Sequence, residues 1–511
     1  MTSYILLASA AILFIIACLW LLHSGRERMT LALLFAGSLI VRLYMAMQDA
    51  FLHDWDERFH ALVARNLMND PLQPILRAHP VQAYDKFAWC CNHIWLHKQP
   101  LFMWQMALSM KLFGVSELTM RYPSVLMGAL MPLMVYGIAR QLLHSRQGAL
   151  VAALLMALCN FQLELISGFE GTDHNDVAFG FYVLASFWAY VRYLSGKEMK
   201  WVLLAGVFAG CAVLNKWLTG AVVFAGWGMN LLLSIRDKDS RRDLSYMLLA
   251  AIVCLAVFLP WQLYILHTFP EEAKYEYAFN SRHITEVLED HKGSIFFYVG
   301  KLPRYYGAIA CCFIPVGMWV LLRQIRANVR ENKAAIALLS IFTIVFSFFS
   351  LIVATKWVPY AFVVAPMGYL LIAAGLMELK ERVRRNELLF TLVIIVVALF
   401  TLNPVAIYKA HNSGNEARMV KLHNTKIYKD VTNELPKHIK LVLNTPSFED
   451  IDLMFYHNEL DANAWCLHDA AIDSLIRNNV PFAVFEAHGQ YGLPERIAAY
   501  KGAYIIHQQL K

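Results

Sequence analysis

Charge is scarce in this 511-residue chain: Asp, Glu, Lys and Arg make up 16% of it, against 58% apolar residues and a mean hydropathy of +0.45. A soluble domain of ordinary composition carries about 25% charged residues, so that class is excluded. Repeated apolar stretches of about 18 to 22 residues, the length that crosses a bilayer, indicate an α-helical polytopic membrane protein. Cysteine is sparse as well. Cys18, Cys159, Cys211, Cys254, Cys311 and Cys312 fall in or beside apolar spans and read as small hydrophobes. Cys90-Cys91 stands apart, in a polar loop near His93 and His97. No C-x-x-C spacing accompanies the pair, which favours a structural role over a metal site and leaves a disulfide open. His93 and His97, four apart, would share a face only if that stretch were helical. The first apolar segment, from about Tyr4 to Leu22, lacks a basic leader and a small-residue cleavage pattern and is read as a retained span. The absence of a fixed-period repeat or low-complexity tract argues against a solenoid. The net charge of +7 lies mostly in short loops between spans, where a topology signal explains it without nucleic acid.

Spans are expected at about 4–22, 30–47, 121–139, 148–167, 177–194, 200–215, 217–234, 245–267, 305–322, 334–354, 357–377 and 387–406. With the N-terminus outside, alternate loops collect Arg26 and Arg28, Arg140 and Arg146, Lys197 and Lys200, Arg236 to Arg242, Arg323 to Lys333, and Lys380 to Arg385. Those loops are therefore cytoplasmic. The split at Asn215-Lys216 is decisive, because one span more or fewer there would reverse everything after it. The expected organisation is a transmembrane domain, 1–407, with outer loops at 48–120 and 268–304, and a soluble domain, 408–511. In the latter, apolar runs at 439–443 and 481–485 among turn residues suggest a small extracytoplasmic α/β domain. Gly206, Gly210, Gly220, Gly226 and Gly228 suggest close helix packing.

Two acidic knots, His53-Asp54-Trp55-Asp56-Glu57 and Asp173-His174-Asn175-Asp176, then fall on the outer face at span ends. Carboxylates facing hydrocarbon are costly, so their grouping points to a polar cavity. Between the knots, Pro100 to Phe113 reads as a helix too short to span and suited to the interface.

The order of Asp56-Glu57, His97-Lys98-Gln99-Pro100-Leu101, Leu112-Phe113-Gly114-Val115-Ser116-Glu117 and Arg121-Tyr122-Pro123-Ser124 resembles a known family. Further matches are Leu214-Asn215-Lys216, Pro260-Trp261, the loop from Asp290 to Tyr298, and Thr355-Lys356-Trp357-Val358-Pro359-Tyr360. Over about residues 50 to 380 the chain is similar to the GT-C glycosyltransferases that use polyprenyl-phosphate sugars. The branch in question contains protein O-mannosyltransferases and the aminoarabinose transferase acting on lipid A. It departs from the pattern in having Gln99 where a second proline is usual, and in carrying two spans, not one, before the acidic loop. The resemblance implies a GT-C fold in the bacterial inner membrane, with active site and soluble tail on the periplasmic face. It also implies a polyprenyl-phosphate sugar donor and a glycolipid or protein acceptor.

Sugar transfer needs a base for the acceptor proton, and a carboxylate within hydrogen-bond reach serves. Asp56 is the first choice, with Glu57 beside it. Asp173 or Asp176 would orient the acceptor, stabilise positive charge at the sugar, or join His53 or His174 in a metal site. The leaving lipid phosphate needs cations in a poorly hydrated place; the candidates are Lys98, Lys216, Arg304 and Lys356, with Tyr360 beside them by resemblance. The bland readings are helix caps for the acids and interfacial anchoring for the lysines beside Trp217 and Trp357. No cofactor is required, and a divalent metal stays open. Direct attack would invert the anomeric carbon. A transporter or flippase using the same charges without covalent chemistry is the alternative, and an inactive paralogue acting as a partner subunit is a third.

Overall fold

The computed structural model describes residues 2–81, 84–87, 92–171, 173–236, 239–383, 386–465, 467–486 and 493–511. Cys90-Cys91 lies outside them. The chain forms two compact units: Met1–Met45 with Ser124–Ile166 and His174–Tyr408, and Ala46–Pro123 with Ser167–Asp173 and Lys409–Lys511. The first helices in chain order are α1 (Thr2–His23), α2 (Glu27–Ala46), α3 (Asp56–Leu67), α4 (Leu101–Phe113), α5 (Glu117–Leu143), α6 (Arg146–Ala157), α7 (Asn160–Ser167), α8 (Asp173–Gly196) and α9 (Met199–Lys216).

Among the described residues, eleven helical stretches are long and apolar enough to cross a membrane, which makes this a multi-pass membrane protein. One of them, Met199–Leu233, is continuous only in name. Trp217 has φ +57°, and a Cβ on Gly220 would stand 2.5 Å from the backbone of Ala212 and Val213. The chain therefore doubles back after Lys216, as the split expected at Asn215-Lys216 requires, and the stretch supplies two passes. The span expected at 305–322 instead runs over Ala310–Ala327. Gly307, at φ +90° and pressed against the Phe400 carbonyl, ends the preceding helix Phe297–Tyr306.

Ion pairs join the cation-rich loops of this unit in two groups. Glu27 meets Arg140 at 3.6 Å and Arg146 at 3.3 Å, and Asp243 meets Lys197 and Lys333, each at 3.4 Å. The start of α1 and the end of the last span are neighbours, with the Tyr4 and Tyr408 rings 5.7 Å apart. Glycine permits the tightest helix contacts: a Cβ on Gly206 or Gly210 would strike the carbonyl of Ala250 or Cys254 in the helix Ser240–Thr268. Gly228 has nothing near it and takes no part in packing.

The fourth span is broken between α6 and α7, at Leu158-Cys159, and Arg42 of α2 fills the break. Its guanidinium donates to the carbonyls of Ala157 (3.0 Å) and Met156 (3.3 Å) and to Gln162 Oε1 (2.5 Å). Helix-end carbonyls in a bilayer have no water to bond, and this buried arginine takes its place.

In the second unit, α4 packs on α3 through Phe102, Met103, Met106 and Met110 and leaves Leu108, Leu112 and Phe113 exposed, an apolar face suited to the interface. His93 and His97 lie in no helix, since Ile94 makes an antiparallel bridge with Ile75, so their spacing does not set them on a common helical face. The C-terminal part holds an all-parallel sheet, β1 (Leu441–Thr445), β2 (Asp461–Ala464), β3 (Phe482–Phe485) and β4 (Ala503–Ile506), in the order β2-β1-β3-β4. Strands β1 and β3 are buried throughout, with Leu443, Phe482 and Val484 packing on Ile472, Leu475 and Ile497. Three arginines of 46–123 bind this domain. Arg77 joins Asp450 (2.7 Å) and Asp461 (2.6 Å), Arg58 joins Asp452 (3.2 Å), and Arg65 donates to the Phe455 carbonyl.

Candidate active site

Asp56 opens α3 as its first residue, and its carboxylate faces the Lys98 ammonium at 3.4 Å; the two side chains are 12% and 22% exposed. Glu57, one residue on, is turned inward. Its oxygens take a two-pronged pair from Arg121, at 2.7 and 2.9 Å, and the His53 backbone N–H at 2.7 Å. Gly168 closes over this carboxylate so tightly that a Cβ there would lie 2.4 Å from it. Arg121 also donates to the carbonyls of Ala46, Asp49 and Phe51, which fixes the start of the loop.

His53 lies beside Asp49 at 3.1 Å, and Asp49 also binds His411 at 2.8 Å and Arg418 at 2.6 Å. Burial raises the Asp49 carboxyl, but hydrogen bonds from His411 and His53 outweigh it and hold the group far below the ordinary carboxylate range. Burial pushes the His53 imidazole down, against the opposing pull of Asp49. Sequence reasoning named His53, quoted Arg121 in a motif without giving it a role, and passed over Asp49, His411 and Arg418, whose mutual partners are remote in the chain.

In the membrane unit, Asp176 of α8 is buried and pairs with Lys216, the last residue of α9, at 2.5 Å; its second oxygen, Oδ2, has no hydrogen-bond partner. The Lys216 ammonium also stands 5.4 Å from the centre of the Tyr360 ring. Asp173 begins α8, and its side chain lies outside the described ones. His174 Nδ1 shares a hydrogen bond with Ser124 Oγ. Arg304 lies over the Phe161 ring at 5.6 Å.

Lys356 is placed otherwise than expected for an open phosphate ligand. Its ammonium donates to the carbonyls of Phe349 (2.6 Å), Ser350 (2.9 Å) and Val353 (2.5 Å), engaging all three of its protons at the end of the helix that begins at Lys333. Burial lowers its pKa. Among the described residues, no group of three or more His, Cys, Asp or Glu side chains is arranged to hold a metal ion.

Comparison with known proteins bears on what these pairs belong to. Residues 97–264 match the family model of dolichyl-phosphate-mannose-protein mannosyltransferases. The ArnT protein of Cupriavidus metallidurans, solved both apo and bound to undecaprenyl phosphate, superposes with a TM-score of 0.63 over 87% of each chain. It is 17% identical in the apo form and 16% in the bound form. The chain has the GT-C fold. The oligosaccharyltransferase of Archaeoglobus fulgidus shares the GT-C fold at a TM-score of 0.56 and 16% identity, over 90% of this chain and 66% of that one. In sequence, an undecaprenyl phosphate-alpha-4-amino-4-deoxy-L-arabinose arabinosyl transferase of Pseudomonas paraeruginosa is 31% identical over 216 residues, 41% of this chain and 37% of that protein. A protein of Aquifex aeolicus is 24% identical over 61% of this chain, which spans 60% of its length. The resemblance read from the motifs thus holds for fold and family model. The proteins named by these GT-C matches are described as transferases.

Proposed function

We propose that this protein is a membrane glycosyltransferase that moves a sugar from a polyprenyl-phosphate carrier to an acceptor at the outer face of the bacterial inner membrane. The observation that carries the reading is the Asp56–Lys98 pair, at 3.4 Å, in a GT-C fold. Asp56 is the base. It takes the proton of the acceptor hydroxyl or amine as that atom attacks the anomeric carbon; the bond from that carbon to the phosphate oxygen breaks, and the carbon is inverted. Glu57 is excluded from this role, since its oxygens are engaged by Arg121 and by the His53 N–H. Lys98, beside the base, is assigned the negative charge that grows on the leaving phosphate. In the membrane unit, Lys216 with Tyr360 is a second cationic place suited to lipid phosphate, and Asp176 orients its ammonium. Lys356 holds a helix end, and Arg304 lies over the Phe161 ring. The phosphate bond supplies the driving force, so no nucleotide is needed.

The acceptor is a lipid A-type glycolipid or a protein hydroxyl, on the periplasmic side with the C-terminal domain. The test is transfer of radiolabel from a polyprenyl-phosphate sugar to cell envelopes by purified protein. Wild type is expected to transfer label and Asp56→Asn to lose it almost wholly, by about 100-fold or more for removal of a general base. Equal labelling by the two would remove Asp56 from the chemistry.

A further inference from the structure

Trp55, the residue before Asp56, is 55% exposed and held at φ +62°, a backbone conformation that is costly for a bulky side chain. Its ring packs against Phe448, 4.9 Å away between centres, and Phe448 is also held at φ +62°. Behind Phe448 the aromatic run continues inward to Phe59 and Trp95, both buried, so that Trp55 is its open end. Phe448 follows the carboxyl end of β1, the strand with β2 on one side and β3 on the other. At such a reversal of strand order, parallel sheets bind ligands. Beside Trp55, the Asp54 carboxylate is 55% exposed and is held by Arg58 at 2.7 Å and by Lys421 at 2.5 Å. Burial raises the Asp54 carboxyl, and the two cations outweigh it and lower its pKa.

An indole face next to a fixed carboxylate and an ammonium suits a sugar ring: the C–H face of a pyranose packs on the aromatic plane, and its hydroxyls bond the flanking charges. Strain held at two aromatic residues in contact, one of them adjoining the base, is the pattern of a site held ready for a ligand. From this we infer that Trp55, backed by Phe448 and flanked by Asp54 and Lys421, is the subsite for a saccharide ring of the acceptor. The word acceptor here rests on the transferase reading; the saccharide subsite does not.

The test titrates the full-length protein in detergent with three probes: lipid A, undecaprenyl phosphate, and a peptide rich in Ser and Thr. Trp55→Ala is expected to weaken lipid A binding about threefold to tenfold, the range of one aromatic contact, with undecaprenyl phosphate affinity unchanged and Trp55→Phe largely restoring lipid A. Unchanged lipid A binding in Trp55→Ala would overturn the subsite and leave Trp55 an interfacial anchor. Parallel loss of both lipids would overturn it in favour of a structural role. Peptide binding that depends on Trp55 while lipid A binding does not would overturn the saccharide assignment. Lipid A binding through Trp55 in a wild type that transfers no sugar would sustain the subsite and sink the transferase reading instead.

Discussion

Glu57 spends its carboxylate on Arg121 and on a backbone N–H, while Asp56, its neighbour in the chain, keeps partial exposure beside a lysine. The two acids should therefore fail in different ways. Breaking a buried ion pair leaves its partner uncompensated and costs about 3 to 5 kcal/mol; Glu57→Gln keeps a weaker acceptor and should lose about 3 kcal/mol, read as a lower thermal midpoint in detergent. Asp56→Asn should melt close to wild type while losing transfer. Reversed behaviour, with Asp56→Asn unstable and Glu57→Gln inactive but well folded, would exchange their roles. Asp56, Lys98, Asp176 and Lys216 were legible in the sequence because charges standing at the ends of apolar runs are conspicuous. The division of labour between Asp56 and Glu57 was not, since Arg121 lies 64 residues from Glu57 and nothing in a linear pattern couples them.

Helix ends account for the contacts of two charges, Arg42 and Lys356, that the sequence does not reveal. Arg42 lies within an apolar run, and the break it serves, at Leu158-Cys159, has neither proline nor glycine to announce it. Lys356 reads as an outer-face cation until the chain is seen to turn at Val353 and bring three carbonyls to its ammonium. Both are responses to the same constraint, that terminal carbonyls inside a bilayer need a donor. Arg42→Leu should cost about 2 to 6 kcal/mol, because two buried carbonyls lose their donor at about 1 to 3 kcal/mol each. Thermal unfolding measures the total, and amide hydrogen exchange across 156–163 should rise locally. Unchanged exchange there would mean that the break stands without the arginine. Other elements follow from simple periodicity: the runs at 439–443 and 481–485 became β1 and β3, shifted by a residue or two, and Pro100–Phe113 became α4.

At the scale of the whole chain, Lys409–Lys511 does not stand alone. It is one body with Ala46–Pro123, which the sequence reading assigned to the transmembrane domain. Arg77 is the bond to test, since it is buried and binds both Asp450 and Asp461. Arg77→Ala would strand two buried carboxylates at a cost of about 3 to 5 kcal/mol. Limited proteolysis should then cut within 46–123 as readily as within 409–511. Cleavage confined to the tail would show that the outer loop holds its shape unaided. Hydropathy marks where a chain leaves the membrane; it carries no information on which of the emerged segments pair.

The pairing of Arg77 with Asp461 joins residues 384 positions apart. During synthesis the segment that carries Asp56 and Lys98 is made early, yet Asp450 and Asp461, the partners of its Arg77, follow only after every span. Until then Arg77 cannot form its bonds to Asp450 and Asp461, so the outer segment and the C-terminal sheet close on one another only after β2 of that sheet begins to be made.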